Sequence, residues 1–116
     1  MNDLRERTTA FALRVIALVE ALPRSMAARV VGPQVLRSGT SVGAQYREAC
    51  RSRSNAEIIS KLEATLQELD ETDYWLELIE KRNMVMARRL APLRGECEEL
   101  TRMLVAAVKK LKLRRR

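Results

Sequence analysis

From Ile58 to Ile79 the chain repeats one pattern. Ile58, Leu62, Thr65, Leu69, Thr72, Leu76 and Ile79 follow one another at alternating steps of four and three. Side chains at that spacing share one face of an α-helix, whereas a strand alternates its faces every second residue. Three heptads of it make a long rod that is stable only if a partner covers the seam along its length. A second seam with the same rhythm runs through Leu90, Leu93, Cys97, Leu100, Leu104, Ala107 and Leu111. Any fold for this chain must pair these two rods and find cover for the rest of their faces.

The flanking residues set boundaries. A first helix is expected over 3–22, capped by Asn2 or Asp3 and stopped by Pro23, with Leu4, Phe11, Val15, Leu18 and Leu22 on one stripe. Residues 25–31 read as a short helical turn, broken by Gly32-Pro33. A second main helix then runs from about Pro33 to Arg51 with Val35, Gly39, Val42, Tyr46 and Ala49 inward. Gly39 and Gly43 weaken it by about 1 kcal/mol each relative to Ala, which points to close approach by a neighbouring backbone; a turn over residues 38–41 is the alternative. Ser54-Asn55-Ala56-Glu57 is a capping box that opens the third helix, which runs to about Arg82 with Asn83 as its C-terminal cap. The fourth begins between Ala87 and Pro92 and is expected to fray in the basic end KKLKLRRR. Four helices with short connections make an all-α, antiparallel up-down-up-down four-helix bundle. The whole chain, 1–116, forms one domain with a basic tail over about 109–116.

Composition removes rival folds and chemistries. With 3% aromatic residues, four Gly and three Pro, a strand-rich sandwich or barrel lacks its raw material. No His is present, which excludes imidazole catalysis and imidazole metal ligation. Glycine-rich phosphate loops are absent, and no nucleophile has a base to activate it. The expectation is therefore a non-enzymatic protein with no cofactor and no metal. Cys50 and Cys97 stand alone rather than in a CxxC pair and read as reduced core or boundary residues, a disulfide being the lesser alternative. The N-terminus lacks the apolar stretch of a signal peptide, and no apolar run approaches the roughly 20 residues needed to cross a bilayer. A cytoplasmic protein that does not enter membranes is expected.

Charge is unevenly placed. Net charge is +7, and residues 54–82 hold eight acidic and three basic residues, whereas the segments on either side are basic. Arg47, Arg51 and Arg53 end the second helix, and Lys109, Lys110, Lys112, Arg114, Arg115 and Arg116 end the fourth. An up-down layout brings both groups to one pole, where they are candidates to bind the phosphate backbone of RNA or DNA; solvated helix ends are the plainer reading. Arg37, Ser41, Gln45 and Glu48 form a polar stripe on the second helix. It reads as a structural network, with Glu48 holding Arg37 or Arg51 and Glu71 as a further member, or else as a ligand site. The carboxylates of the third helix read as an acidic face meeting Arg or Lys of another helix or subunit. Tyr74 and Trp75 are candidates for interface packing, with stacking on a nucleic-acid base as the alternative.

The stretches RSGTSVGAQYREACRSRS (37–54) and KLEATLQELDETDYWLELIEK (61–81) resemble a family of four-helix bundle proteins encoded by intervening sequences within bacterial 23S ribosomal RNA genes. The matching residues are Arg37, Ser38, Ser41, Val42 and Glu48, then Glu68, Asp70, Glu71, Thr72 and Tyr74 through Leu78; Gln45 stands where relatives usually carry Asn. The resemblance implies a bundle that assembles as a homopentamer and does not imply an enzyme. A related branch, the accessory variability proteins of diversity-generating retroelements, implies nucleic-acid binding beside a reverse transcriptase. The expected function is that of an oligomeric adaptor binding RNA or DNA. The alternative is a structural or protein-binding scaffold, for instance for a reverse transcriptase.

Overall fold

A computed structural model describes residues 2–114. Four helices account for most of them: α1 (Asn2–Glu20), α2 (Met26–Cys50), α3 (Asn55–Lys81) and α4 (Ala87–Arg114), with no strand among the described residues. They form an elongated bundle of 50 × 21 × 20 Å. Each helix packs on its neighbours in sequence and α4 closes on α1, while the backbones of the diagonal pairs stay farther apart. This is the up-down-up-down arrangement. The α2–α3 interface is the most extensive and the α1–α4 seam the thinnest.

The seams fold inward as their spacing requires. Leu62, Thr65, Leu69, Thr72, Leu76 and Ile79 of α3 face Leu90, Leu93, Cys97, Leu100 and Leu104 of α4 in the core. Ile58, Ala107 and Leu111, at the ends of the two seams, are only half-buried. Four hydroxyls sit in the apolar layers, each with a carbonyl of its own helix to bond. Thr8, Ser38, Thr65 and Thr72 lie 3.2, 3.4, 2.9 and 2.7 Å from the carbonyl oxygens of Arg5, Val35, Lys61 and Glu68.

One boundary differs from expectation. There is no break at Gly32-Pro33; α2 is a single helix from Met26, with Ser25 as its N-cap accepting from the Ala28 N–H at 3.1 Å. The Pro33 ring lies on the exposed side, where water can satisfy the carbonyl that loses its partner. The residue before a proline normally avoids helical geometry because its Cβ meets the proline ring, and Gly32 has no Cβ. Packing makes no such demand at Gly32, where a Cβ would meet Leu22 Cδ1 at an ordinary contact distance of 3.4 Å. The helix also runs straight through residues 38–41. Gly39 allows this packing: a Cβ on it would come within 2.8 Å of both Cγ atoms of Val15 on α1.

The helix ends follow local chemistry. Ser54 caps α3 by accepting from the Glu57 N–H at 3.1 Å. At the other end Asn83 adopts φ 56°, and the N–H groups of Asn83 and Met84 return to the carbonyls of Glu80 and Ile79, both at 3.0 Å. That is a Schellman motif with Asn in the left-handed position. At the N-terminus α1 already includes Asn2, so Asp3 is not the cap; it lies in the first turn, where its charge complements the helix dipole. The fraying expected of the basic end is not seen as far as Arg114. Leu111 packs against the core and Lys112 pairs with Glu63 at 3.1 Å. Arg115 and Arg116 lie outside the described residues.

Candidate functional site

The antiparallel order places the C-terminal ends of α2 and α4 beside the N-terminal ends of α1 and α3. Cys50, Lys110 and Arg114 accordingly line one and the same cavity. Arg51, Arg53, Lys109, Lys110 and Arg114 are exposed there, and among the described residues none of them is in an ion pair. Two of the expected members behave differently. Lys112 is tied to Glu63, and Arg47 turns against α1 and donates to Thr9 Oγ1 at 3.1 Å. Both side chains nevertheless stay exposed.

The cavity at this pole measures about 460 Å³. Its wall is apolar, from Leu4, Ala49, Ile58, Leu62 and Leu111, while Tyr46 lies deeper and is buried. Burial first, then a hydrogen bond with Cys50, raises the Tyr46 phenol to about 12. No sequence pattern marks this cavity; it lies where the ends of all four helices come together.

The expected polar stripe divides into separate pieces. Arg37 reaches across to α3, pairing with Glu71 and lying 3.5 Å from Glu68. Glu71 also accepts from the Trp75 indole N–H at 2.9 Å. Glu48 does not hold Arg37 or Arg51; it pairs with Lys61 at 2.7 Å, which raises the Lys61 pKa. Axial position separates the two: Glu48 lies near the end of α2, opposite the start of α3, whereas Arg37 faces its middle. Ser41 bonds the Arg37 carbonyl of its own helix at 2.7 Å, and Gln45 is half-buried on the same face. The buried polar contact between α2 and α3 is a pair not anticipated, Ser38 and Thr72, with hydroxyl oxygens 2.8 Å apart. Thr72 at a seam position was the available signal, since a buried hydroxyl needs a partner.

Trp75 packs half-buried against the core, and Tyr74 is exposed with its ring centroid 5.1 Å from that of Trp75. The acidic face of α3 is largely neutralised by other helices of the same chain. Arg94 of α4 lies 3.3 Å from Asp73 and 3.1 Å from Glu80. Burial opposes the charge of Arg94, yet these two hydrogen bonds raise its pKa. Across the thin seam Arg7 of α1 grips Glu96 with two bonds of 2.6 and 3.0 Å, and its pKa is raised by that contact. Both cysteines are free, Cys50 exposed and Cys97 buried. Among the described residues no group of three or more Cys, Asp and Glu side chains is placed to hold a metal ion, and no helix is long and apolar enough to cross a membrane.

Comparison with known proteins agrees with this architecture. Residues 2–106 match the model of a family described as 23S rRNA-intervening sequence protein. Among solved structures, a protein of unknown function from the S23 ribosomal protein family of Bacteroides thetaiotaomicron superposes with a TM-score of 0.86. It is 33% identical, over 91% of this chain and 98% of that one. Among curated proteins, none matches the chain significantly.

Proposed function

The chain belongs to the 23S rRNA-intervening sequence protein family, and from that premise we propose that it works by binding rather than by catalysis, as an oligomer whose basic pole takes up the phosphate backbone of RNA or DNA. The observation that carries this reading is the gathering of Arg51, Arg53, Lys109, Lys110 and Arg114 at one pole without carboxylate partners among the described residues. Unpaired exposed cations release counterions from a nucleic acid without first breaking an ion pair of their own. Arg115 and Arg116 follow directly in sequence and add to the same charge. The contacts are with phosphates, so little sequence preference is expected. A homopentamer, as the resemblance implies, multiplies this charge around a ring. Its place of action is the cytoplasm, away from membranes.

Filter binding of a short RNA across a salt series tests the proposal. Affinity should fall steeply with salt, and Arg53→Glu with Lys110→Glu should lower the log–log slope by roughly 0.7–0.9 for each phosphate no longer neutralised. Absence of retention at low salt, or a flat salt dependence, contradicts it. A second reading, a protein-binding scaffold such as a reverse transcriptase accessory subunit, is favoured by the exposed Leu13, Met26 and Val30. Partners that remain in a pull-down after nuclease treatment would support it over the first.

A further inference from the structure

The cavity at the basic pole has a composition that nucleic-acid binding does not use. Each of the four helices contributes to an aliphatic wall, among them Leu4 of α1, Ala49 of α2, Ile58 and Leu62 of α3, and Ala107 of α4. Such a wall offers no replacement for the hydrogen bonds that a base or a sugar would leave behind in water, so polar heterocycles are disfavoured inside it. An alkyl chain loses nothing there and gains by leaving water. The volume, about 460 Å³, lies within the range of small-molecule sites.

One side of the cavity is charged. Lys110 and Arg114 both line it, one helical turn apart on α4, and neither is in an ion pair among the described residues. An apolar hollow with two unpaired cations beside it complements one chemical class, a molecule with a single hydrocarbon chain and an anionic head. We infer that this cavity binds a fatty-acid-like carboxylate, its chain against the aliphatic wall and its carboxylate between Lys110 and Arg114. A carboxylate held by both an ammonium and a guanidinium makes charge-assisted hydrogen bonds, which fix which end of the ligand faces out.

Cys50 lines the cavity and is exposed, whereas Cys97 is buried in the α3–α4 core. The full-length protein therefore carries its own reporter and its own control. Alkylation by a maleimide is followed in the presence of octanoate, decanoate, dodecanoate or decanol. Decanoate, below its micelle concentration, is expected to slow Cys50 alkylation by about tenfold or more, with protection rising about fourfold in affinity per added methylene. Cys97 should stay unmodified throughout. In Lys110→Glu/Arg114→Glu, two exposed positions whose change leaves the core intact, protection by decanoate should be lost while protection by decanol remains. Absence of protection, protection without dependence on chain length, or equal protection by decanoate in the double variant would each overturn the inference. RNA gives no chain-length series, so a failure here is distinguishable from a failure of nucleic-acid binding. Native mass spectrometry with decanoate gives an independent readout: one ligand per chain supports the site, and none refutes it.

Discussion

Gly39 and Gly95 have the same side chain and opposite expectations. A methyl group at Gly39 would strike both Cγ atoms of Val15 at 2.8 Å, and its Cβ at 3.1 Å. Valine is stiff at χ1 and cannot swing aside. Gly39→Ala should therefore destabilise the fold by about 1–3 kcal/mol despite the better helix propensity of alanine. Gly95 lies mid-helix on the exposed face of α4 with nothing within 4 Å of a built Cβ. Gly95→Ala should stabilise by about 0.5–1 kcal/mol. Urea denaturation of the two variants should give midpoint shifts of opposite sign. The sequence pointed to close approach by a backbone at Gly39 and Gly43; at Gly39 it is the Val15 side chain that approaches, and at Gly43 a Cβ would meet Thr8 only at ordinary contact distances of 3.4–3.5 Å. For Ser38 and Thr72 it signalled only that a hydroxyl on the seam needs a partner, because which hydroxyl meets which depends on the axial register of two helices.

Titration at single residues gives a second test. Burial foremost, then the charge of Asp73, raises the Cys97 thiol from 9.0 to about 12, and burial with Cys50 raises the Tyr46 phenol from 10.0 to about 12. Both groups ionise more readily in the unfolded chain, so above pH 9 the unfolded chain holds fewer protons than the folded one. Stability from these groups is fully present below about pH 9 and is lost as pH rises toward about 12. The urea midpoint should be lower at about pH 10.5 than at about pH 8. Equal midpoints would mean that the two side chains are better solvated than their burial indicates.

At the scale of elements, helix existence and facing were legible because period and capping are local properties. The seam from Ile58 to Ile79, the Ser54 cap and the Asn83 terminus are all where the residues place them. The boundary at Gly32-Pro33 was not. Local propensity favours a break there, but the helix is held by Val31, Gly32 and Val35, which are buried against neighbours on both sides of the proline. Packing of that stripe outweighs one missing hydrogen bond. Pro33→Ala restores the bond without disturbing the core and should raise stability by about 1–3 kcal/mol. A neutral or negative change in thermal denaturation would show that the fold relies on the reduced freedom Pro33 gives the unfolded chain.

At the scale of the molecule, the bundle is tight on the α2–α3 side and thin where α4 closes on α1. The bidentate contact of Arg7 with Glu96 spans that thin seam, and both side chains are partly shielded. Arg7→Ala should cost about 1–2 kcal/mol, mostly because Glu96 is left without its partner in a half-desolvated place. The fully local pairs of Arg102 with Glu98 and Glu99 are exposed, and Arg102→Ala should stay within about 0.5 kcal/mol. Hydrogen exchange should show α1 and α4 opening sooner in Arg7→Ala and unchanged in Arg102→Ala.

Residue order alone determined that this chain forms four rods, which face of each is apolar, and that two runs of cations end on the same side of an antiparallel bundle. Those features follow from period, caps and loop length, all of which act over a few residues. Only the tertiary structure decided which ions pair, since Glu48 meets Lys61 and Arg37 meets Glu71 through the axial offset of α2 on α3. It also decided that the basic pole encloses an apolar hollow, because a cavity belongs to the space between helices and no single helix encodes it.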